Sequence, residues 1–180
     1  MKAVTRIIEG WVGRFEDLDG VVKEMFYVAR EVRKNAQAPY SHYFVGVAGQ
    51  SAKTGNIYRG CNVERGSWTQ TTHGEQNMLD SMIAFEGKGA KLARLTLLAG
   101  PENMDIVLPP IIIRKRGIWE VSFSEIPSPC GHCLQCIWEN CLEDGDVEMY
   151  SLLSTGEVAM VTIDNAFPLK FGPADLGVKY

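Results

Sequence analysis

The sequence predicts a three-layer α/β/α domain with a mixed five-stranded sheet. Three observations carry that expectation. Apolar segments of helical period alternate with short apolar runs, in the order helix, two strands, helix, strand, helix, two strands. Turn-forming residues, Lys53-Thr54-Gly55-Asn56 and Ser154-Thr155-Gly156, separate the two strand pairs. The chain's 180 residues, 46% apolar and 22% charged, suit the core of one ordinary globular domain.

Each element has its own local reason. Val21, Val22, Met25, Phe26, Ala29 and Val32 share one face of a helix expected over 18–35, and Ala38-Pro39 ends it. Tyr43 to Ala48 and Ile57 to Val63 read as a hairpin. A second helix is expected from Thr72 to about Phe85, stopped by Gly87 and Gly89. Leu92 to Ala99 reads as a buried strand. The third helix is expected to start with Ser128 as N-cap and Pro129 at its first position, its apolar face being Leu134, Ile137, Trp138 and Cys141. Val147 to Leu153 and Glu157 to Ile163 form the last strand pair. Residues 100–127 stand apart as an atypical insertion, with four prolines, two apolar stretches and the cluster Arg114-Lys115-Arg116.

Composition limits the function classes. A net charge of −4 argues against a general nucleic-acid binder. Met1 to Gly13 lacks the continuous apolar stretch of a signal peptide, and Pro109-Pro110 interrupts the most apolar run, so neither export nor membrane spanning is expected. Five cysteines, four of them between Cys130 and Cys141, fit metal-ligating thiolates in a reducing cytoplasm better than a disulfide framework.

The chemistry concentrates in two segments. Thr72-His73-Gly74-Glu75-Gln76 supplies an imidazole and a carboxylate, and Ser128-Pro129-Cys130-Gly131-His132-Cys133 supplies two thiols, 57 positions from His73 to Cys130. Three ligands, His73, Cys130 and Cys133, leave one tetrahedral position of Zn²⁺ open, the catalytic rather than the structural pattern. Cys130 and Cys133 are one helical turn apart, where helix-terminal N–H groups favour thiolates. Two thiolates and a neutral imidazole balance the cation, consistent with a neutral Gln76 nearby. The order H-x-E, then P-C-x-x-C, is that of zinc deaminases acting on nucleobases, with Glu75 as the proton carrier. Two other readings stay open at this point. Thr72-x-x-Glu75 is also a capping box. Cys130, Cys133, Cys136 and Cys141 could also hold an iron–sulfur cluster, although Cys136 and Cys141 fit core positions of the third helix. His132 and His42 are expected to be structural or exposed.

Beyond these segments the chain resembles the cytidine deaminases. Ala38-Pro39-Tyr40-Ser41-His42-Tyr43-Phe44-Val45-Gly46-Val47-Ala48 is similar to the family's PYSHFPVGAA stretch, and Gly60-Cys61-Asn62-Val63-Glu64 to its GCNVEN. Pro168-Leu169-Lys170-Phe171-Gly172-Pro173-Ala174-Asp175-Leu176 resembles its LPxxFGPxDL ending. The resemblance covers most of 20–176 apart from 100–127. It implies a cytidine deaminase-like fold and hydrolytic deamination of cytidine and deoxycytidine. It also implies that Asn62 and Glu64 bind ribose hydroxyls, that Tyr43 lines the base pocket, and that the Gly74 N–H meets the base. Phe171 would reach the base from a neighbouring subunit of a homodimer or homotetramer. The same chemistry on a modified or antibiotic aminopyrimidine nucleoside, or another aminated heterocycle, remains an alternative, as does an inactive zinc-stabilised interaction module.

The chain also departs from the family pattern. His73 with Gln76 resembles the larger dimeric class, while the length is nearer the small tetrameric class, which normally ligates zinc through three cysteines. Leu134 stands where arginine is usual, Arg65, Gly66 and Trp68 replace the usual residues after Glu64, and the zinc segments lie unusually far apart.

Overall fold

Period-2 alternation builds a sheet that buries both faces. The computed structural model describes residues 7–102 and 126–178, so most of the 100–127 insertion lies outside the described residues, as do Arg114, Lys115 and Arg116. The elements are β1 (Trp11–Arg14), α1 (Gly20–Arg33), β2 (Tyr43–Ser51), β3 (Ile57–Cys61), α2 (Gly74–Glu86), β4 (Leu92–Pro101), α3 (Gly131–Asn140), β5 (Glu148–Leu152), β6 (Glu157–Thr162) and the short α4 (Ile163–Ala166). The sheet order is β1-β6-β5-β4-β2-β3. Among the strands of the described residues, β4 and β5 pair in parallel, with α3 in their connection, and the other neighbours are antiparallel. Among the described residues the mixed sheet thus has six strands rather than the expected five. The additional strand is β1, whose Trp11-Val12-Gly13-Arg14 is too short for a periodic signal and gains its order from pairing with β6.

Neighbouring residues along a strand face opposite helix layers. Val47, Leu97, Ala99 and Met149 pack with Met78, Leu79, Leu134 and Ile137 of α2 and α3. Ala48, Leu98, Tyr150 and Leu152 pack with Val22, Met25, Phe26 and Ala29 of α1. Asp19 caps α1 by accepting the Val22 N–H at 2.8 Å. Val21, expected on the α1 core face, is partly exposed at the edge of that stripe. Among the described residues, no helix is long and apolar enough to cross a membrane.

Two glycines set how closely the helices approach. A Cβ on Gly46 would collide with Ala29 O and Arg33, and one on Gly60 with the α2 backbone at Met78 N and Gly74 O. The α1 and α2 backbones therefore rest directly on β2 and β3, from opposite sides. Arg33, at the end of α1, donates to Phe44 O at 3.0 Å and Gly100 O at 2.7 Å, holding the ends of β2 and β4 together.

Gly60→Ala tests this close approach. The added methyl should displace the α2 backbone, costing about 1–3 kcal/mol of stability. Denaturant unfolding should give that loss together with weaker zinc retention, because α2 begins beside His73.

Candidate active site

The proposed ligands and the carboxylate sit where two helices begin. His73 is the N-cap of α2 and Cys130 the N-cap of α3; both have extended backbone, and neither makes a side-chain capping hydrogen bond. Both starts therefore differ from the expected ones. Thr72 is not a capping-box residue, because its backbone is held in a bridge with Val63 through bonds of 2.9 and 3.0 Å. Ser128 is not the N-cap of α3; the helix begins after Cys130, and the Ser128 hydroxyl contacts Pro129 O instead. In each case the capping position carries one of the three side chains that could hold a metal ion.

His73 Nδ1 lies 3.5 Å from Cys130 Sγ and 3.4 Å from Cys133 Sγ, and the three ligand atoms lie within 4.8 Å of one another. Zn–N and Zn–S bonds of about 2.0–2.1 and 2.3 Å at a tetrahedral angle separate N and S by about 3.5–3.6 Å. The donor set therefore fits one zinc ion. Burial, the Glu75 carboxylate and Cys130 push the Cys133 thiol up; a divalent cation among the ligands reverses that balance. Cys141 is buried, and its thiol points to Trp138 O at 3.1 Å. Cys136 is only partly buried, with Sγ 3.8 Å from His132 Nε2. Neither joins the three-residue group, so the four thiols are not assembled for an iron–sulfur cluster. His132 and His42 are exposed.

A cavity of about 420 Å³ opens beside these ligands. His73, Gly74, Glu75 and Cys130 line one part, and Val45, Leu97 and Ala99 provide apolar walls. Asn62, Glu64, Ser41 and Thr71 add polar groups, while the exposed Tyr43 and Trp68 mark the mouth, with Pro127 and Ser128. Glu75 is buried, and that burial raises its carboxyl despite the opposing influence of Cys133, His73 and His132. Gly74 sits close to the sheet: a Cβ there would lie 3.0 Å from Val45 Cγ1 and 3.1 Å from Val47 Cγ2, so those side chains would have to shift by a few tenths of an ångström.

Asn62 and Glu64 also brace the cavity wall. Asn62 Nδ2 donates to Tyr43 O and its Oδ1 accepts the Val45 N–H, both at 2.8 Å. Glu64 Oε2 accepts the N–H groups of Tyr40 and Ser41 at 2.9 and 3.1 Å. Burial alone would raise the Glu64 carboxyl, but bonds from the Ser41 hydroxyl and the two backbone N–H groups hold it below its ordinary value.

Phe171 is the expected site residue that lies apart. It is 57% exposed and does not line the cavity; its carbonyl accepts Gln135 Nε2 at 2.8 Å. Ser41, Val45, Thr71, Leu97, Ala99 and Pro127 line the cavity although the sequence assigns them no site role, and Ser128, expected as a helix cap, lines it too. The alternation of β4 implied Leu97 and Ala99; Thr71 had no comparable periodic signal.

The family model for the cytidine and deoxycytidylate deaminase zinc-binding region matches residues 21–145. The chain belongs to this family. A cytidine deaminase from Sporosarcina psychrophila is 26% identical over 155 residues, covering 86% of this chain and 94% of that protein. The fold matches the cytidine deaminase of Burkholderia pseudomallei with a TM-score of 0.62 at 22% identity, covering 83% of this chain and 98% of that one. For the Mycobacterium leprae cytidine deaminase the TM-score is 0.56 at 23% identity, covering 83% and 99%. Family membership makes the chain a hydrolytic deaminase of cytidine deaminase type, with zinc as its cofactor.

The depressed Glu64 carboxyl has a consequence for stability. Its contribution is present above the unfolded-state pKa of about 4.3 and is lost as pH falls through the lower folded-state value. Glu64→Gln should therefore be less stable than the parent at pH 7, by about 1–2 kcal/mol. That gap should narrow below about pH 4, as read by denaturant midpoints across pH.

Proposed function

We propose that the chain is a zinc-dependent hydrolase that converts cytidine and deoxycytidine to uridine and deoxyuridine, releasing ammonia, in pyrimidine salvage. The observation that carries this reading is the buried Glu75 carboxylate, on the cavity wall two residues from His73. His73, Cys130 and Cys133 would hold the ion, which supplies the polarisation that makes water nucleophilic near neutral pH. Glu75 accepts one proton from the attacking water and passes it to the pyrimidine ring nitrogen, then accepts the second from the new C4 hydroxyl and delivers it to the departing amine as the C4–N bond breaks. Water oxygen replaces nitrogen at C4, so the products are uridine and ammonia.

The remaining residues orient the substrate. Asn62 and Glu64 offer an amide and a carboxylate to sugar hydroxyls, favouring a nucleoside over a free base. Tyr43 lines the base pocket, and the Gly74 N–H meets the base. Phe171 serves a neighbour's site in a homodimer or homotetramer, which agrees with its exposure away from its own cavity. The enzyme works in the cytoplasm as one deaminase-like domain, with 100–127 inserted. An inert zinc module would need no buried carboxylate on the cavity wall.

Glu75→Gln should retain zinc and fold but lose about 10²–10⁴-fold in kcat on cytidine. Near-normal ammonia release from that variant would overturn the mechanism. Phe171→Ala should raise KM by about tenfold while zinc content stays constant. An unchanged KM would confine Phe171 to its own chain's surface.

A further inference from the structure

We propose that Thr71 is a further substrate-binding residue, whose hydroxyl donates a hydrogen bond to the ribose hydroxyls that Glu64 meets. The inference rests on the deaminase reading above and adds a residue to its sugar site.

The backbone sets Thr71 directly across from Glu64. Val63 and Thr72 form an antiparallel bridge, exchanging N–H to O bonds of 2.9 and 3.0 Å. An antiparallel register about that pair puts Asn62 opposite His73 and Glu64 opposite Thr71. Alternation turns these four side chains to the face away from Val63 and Thr72. All four line the cavity, and Val63 and Thr72 do not. The Glu64–Thr71 pair lies two residues along from the Asn62–His73 pair, a step of about 6–7 Å. A nucleoside with its reacting ring carbon at the His73 end and its sugar at Glu64 therefore has Thr71 on the other side of that sugar. Thr71 Oγ1 also accepts the N–H of Arg65, the residue after Glu64, at 3.2 Å, which fixes the hydroxyl beside the carboxylate.

The hydrogen-bond inventory of the wall leaves one gap, and Thr71 occupies it. Ser41, Thr71 and Ser128 bring aliphatic hydroxyls to the cavity. Ser41 Oγ accepts the Tyr43 N–H at 3.0 Å and gives its proton to Glu64. Ser128 Oγ donates to Pro129 O at 3.3 Å. Thr71 Oγ1 is engaged as an acceptor, and among the described residues its proton has no acceptor. Glu64 is the complement. A carboxylate offers about four acceptor sites, and the Tyr40 N–H, the Ser41 N–H and the Ser41 hydroxyl already occupy sites on this one. An unused donor facing a remaining acceptor suits sugar hydroxyls, which both donate and accept. The donor is also preorganised. Thr71 N–H donates to Trp68 O at 3.1 Å, Thr72 is held in the bridge, and a β-branched side chain has few rotamers to lose.

The test uses the zinc-loaded enzyme with cytidine and with 2′,3′-dideoxycytidine, which lacks both vicinal hydroxyls. Thr71→Val removes the hydroxyl and keeps the shape of the side chain. Its KM for cytidine, read from ammonia release, should rise about three- to tenfold with kcat little changed. The inhibition constant of 2′,3′-dideoxycytidine against cytidine should stay at the parent value. Thr71→Ser, which restores the donor, should recover most of the loss. An unchanged KM for cytidine in Thr71→Val would overturn the proposal. So would an equal loss for the dideoxynucleoside, which would confine Thr71 to supporting the Arg65 turn. In both cases turnover of cytidine by the parent preserves the deaminase reading. No ammonia from cytidine with the parent enzyme would remove that reading and the sugar contact with it.

Discussion

The arrangement depends on two helix N-termini meeting at one point. His73 and Cys130 occupy N-cap positions, and Cys133 lies one turn into α3. Their side chains converge instead of returning to cap their own backbones. The N–H ends of the two helices add positive potential on the side where the two sulfurs lie. A divalent cation completes that balance, because burial and the neighbouring Glu75 and Cys130 otherwise favour the neutral Cys133 thiol. The small-residue contacts of Gly60 and Gly74 keep α2 at the depth that brings His73 to α3.

The cavity separates two buried carboxylates by environment. Burial raises the Glu75 carboxyl. Glu64 is equally removed from solvent, yet its bonds from Tyr40 and Ser41 keep it ionised and able to brace the wall. One residue type thereby supplies a carboxyl raised by burial and a fixed anionic support within a single cavity. The segment carrying Asn62 and Glu64 is itself pinned: Gln37 N–H donates to Asn62 O, Glu64 N–H to Gln37 O, and Val63 bridges Thr72.

Residues whose chemistry or periodicity is strong were legible before the structure. His73, Glu75, Cys130 and Cys133 announce themselves by residue type and spacing, and the apolar face of α3 follows helical period through Leu134, Ile137 and Trp138. The structure brings the three ligands together and sets Tyr43, Asn62, Glu64 and Gly74 around the same cavity. Less was legible where tertiary pairing decides. β1 is four residues long and exists through its partner β6. The helix starts moved because a bridge at Thr72 and the ligand positions override ordinary capping preferences. The bracing bonds of Asn62 and Glu64 join residues up to 24 positions apart, beyond any local periodic signal.

The most direct test of the central claim is zinc X-ray absorption on the purified protein. Zinc held by these residues should show two sulfur ligands at about 2.3 Å and two nitrogen or oxygen ligands near 2.0–2.2 Å, with about one zinc per chain. That result would match Cys130, Cys133, His73 and one exchangeable position. Three or four sulfur ligands, or iron–sulfur absorbance in place of zinc, would contradict it.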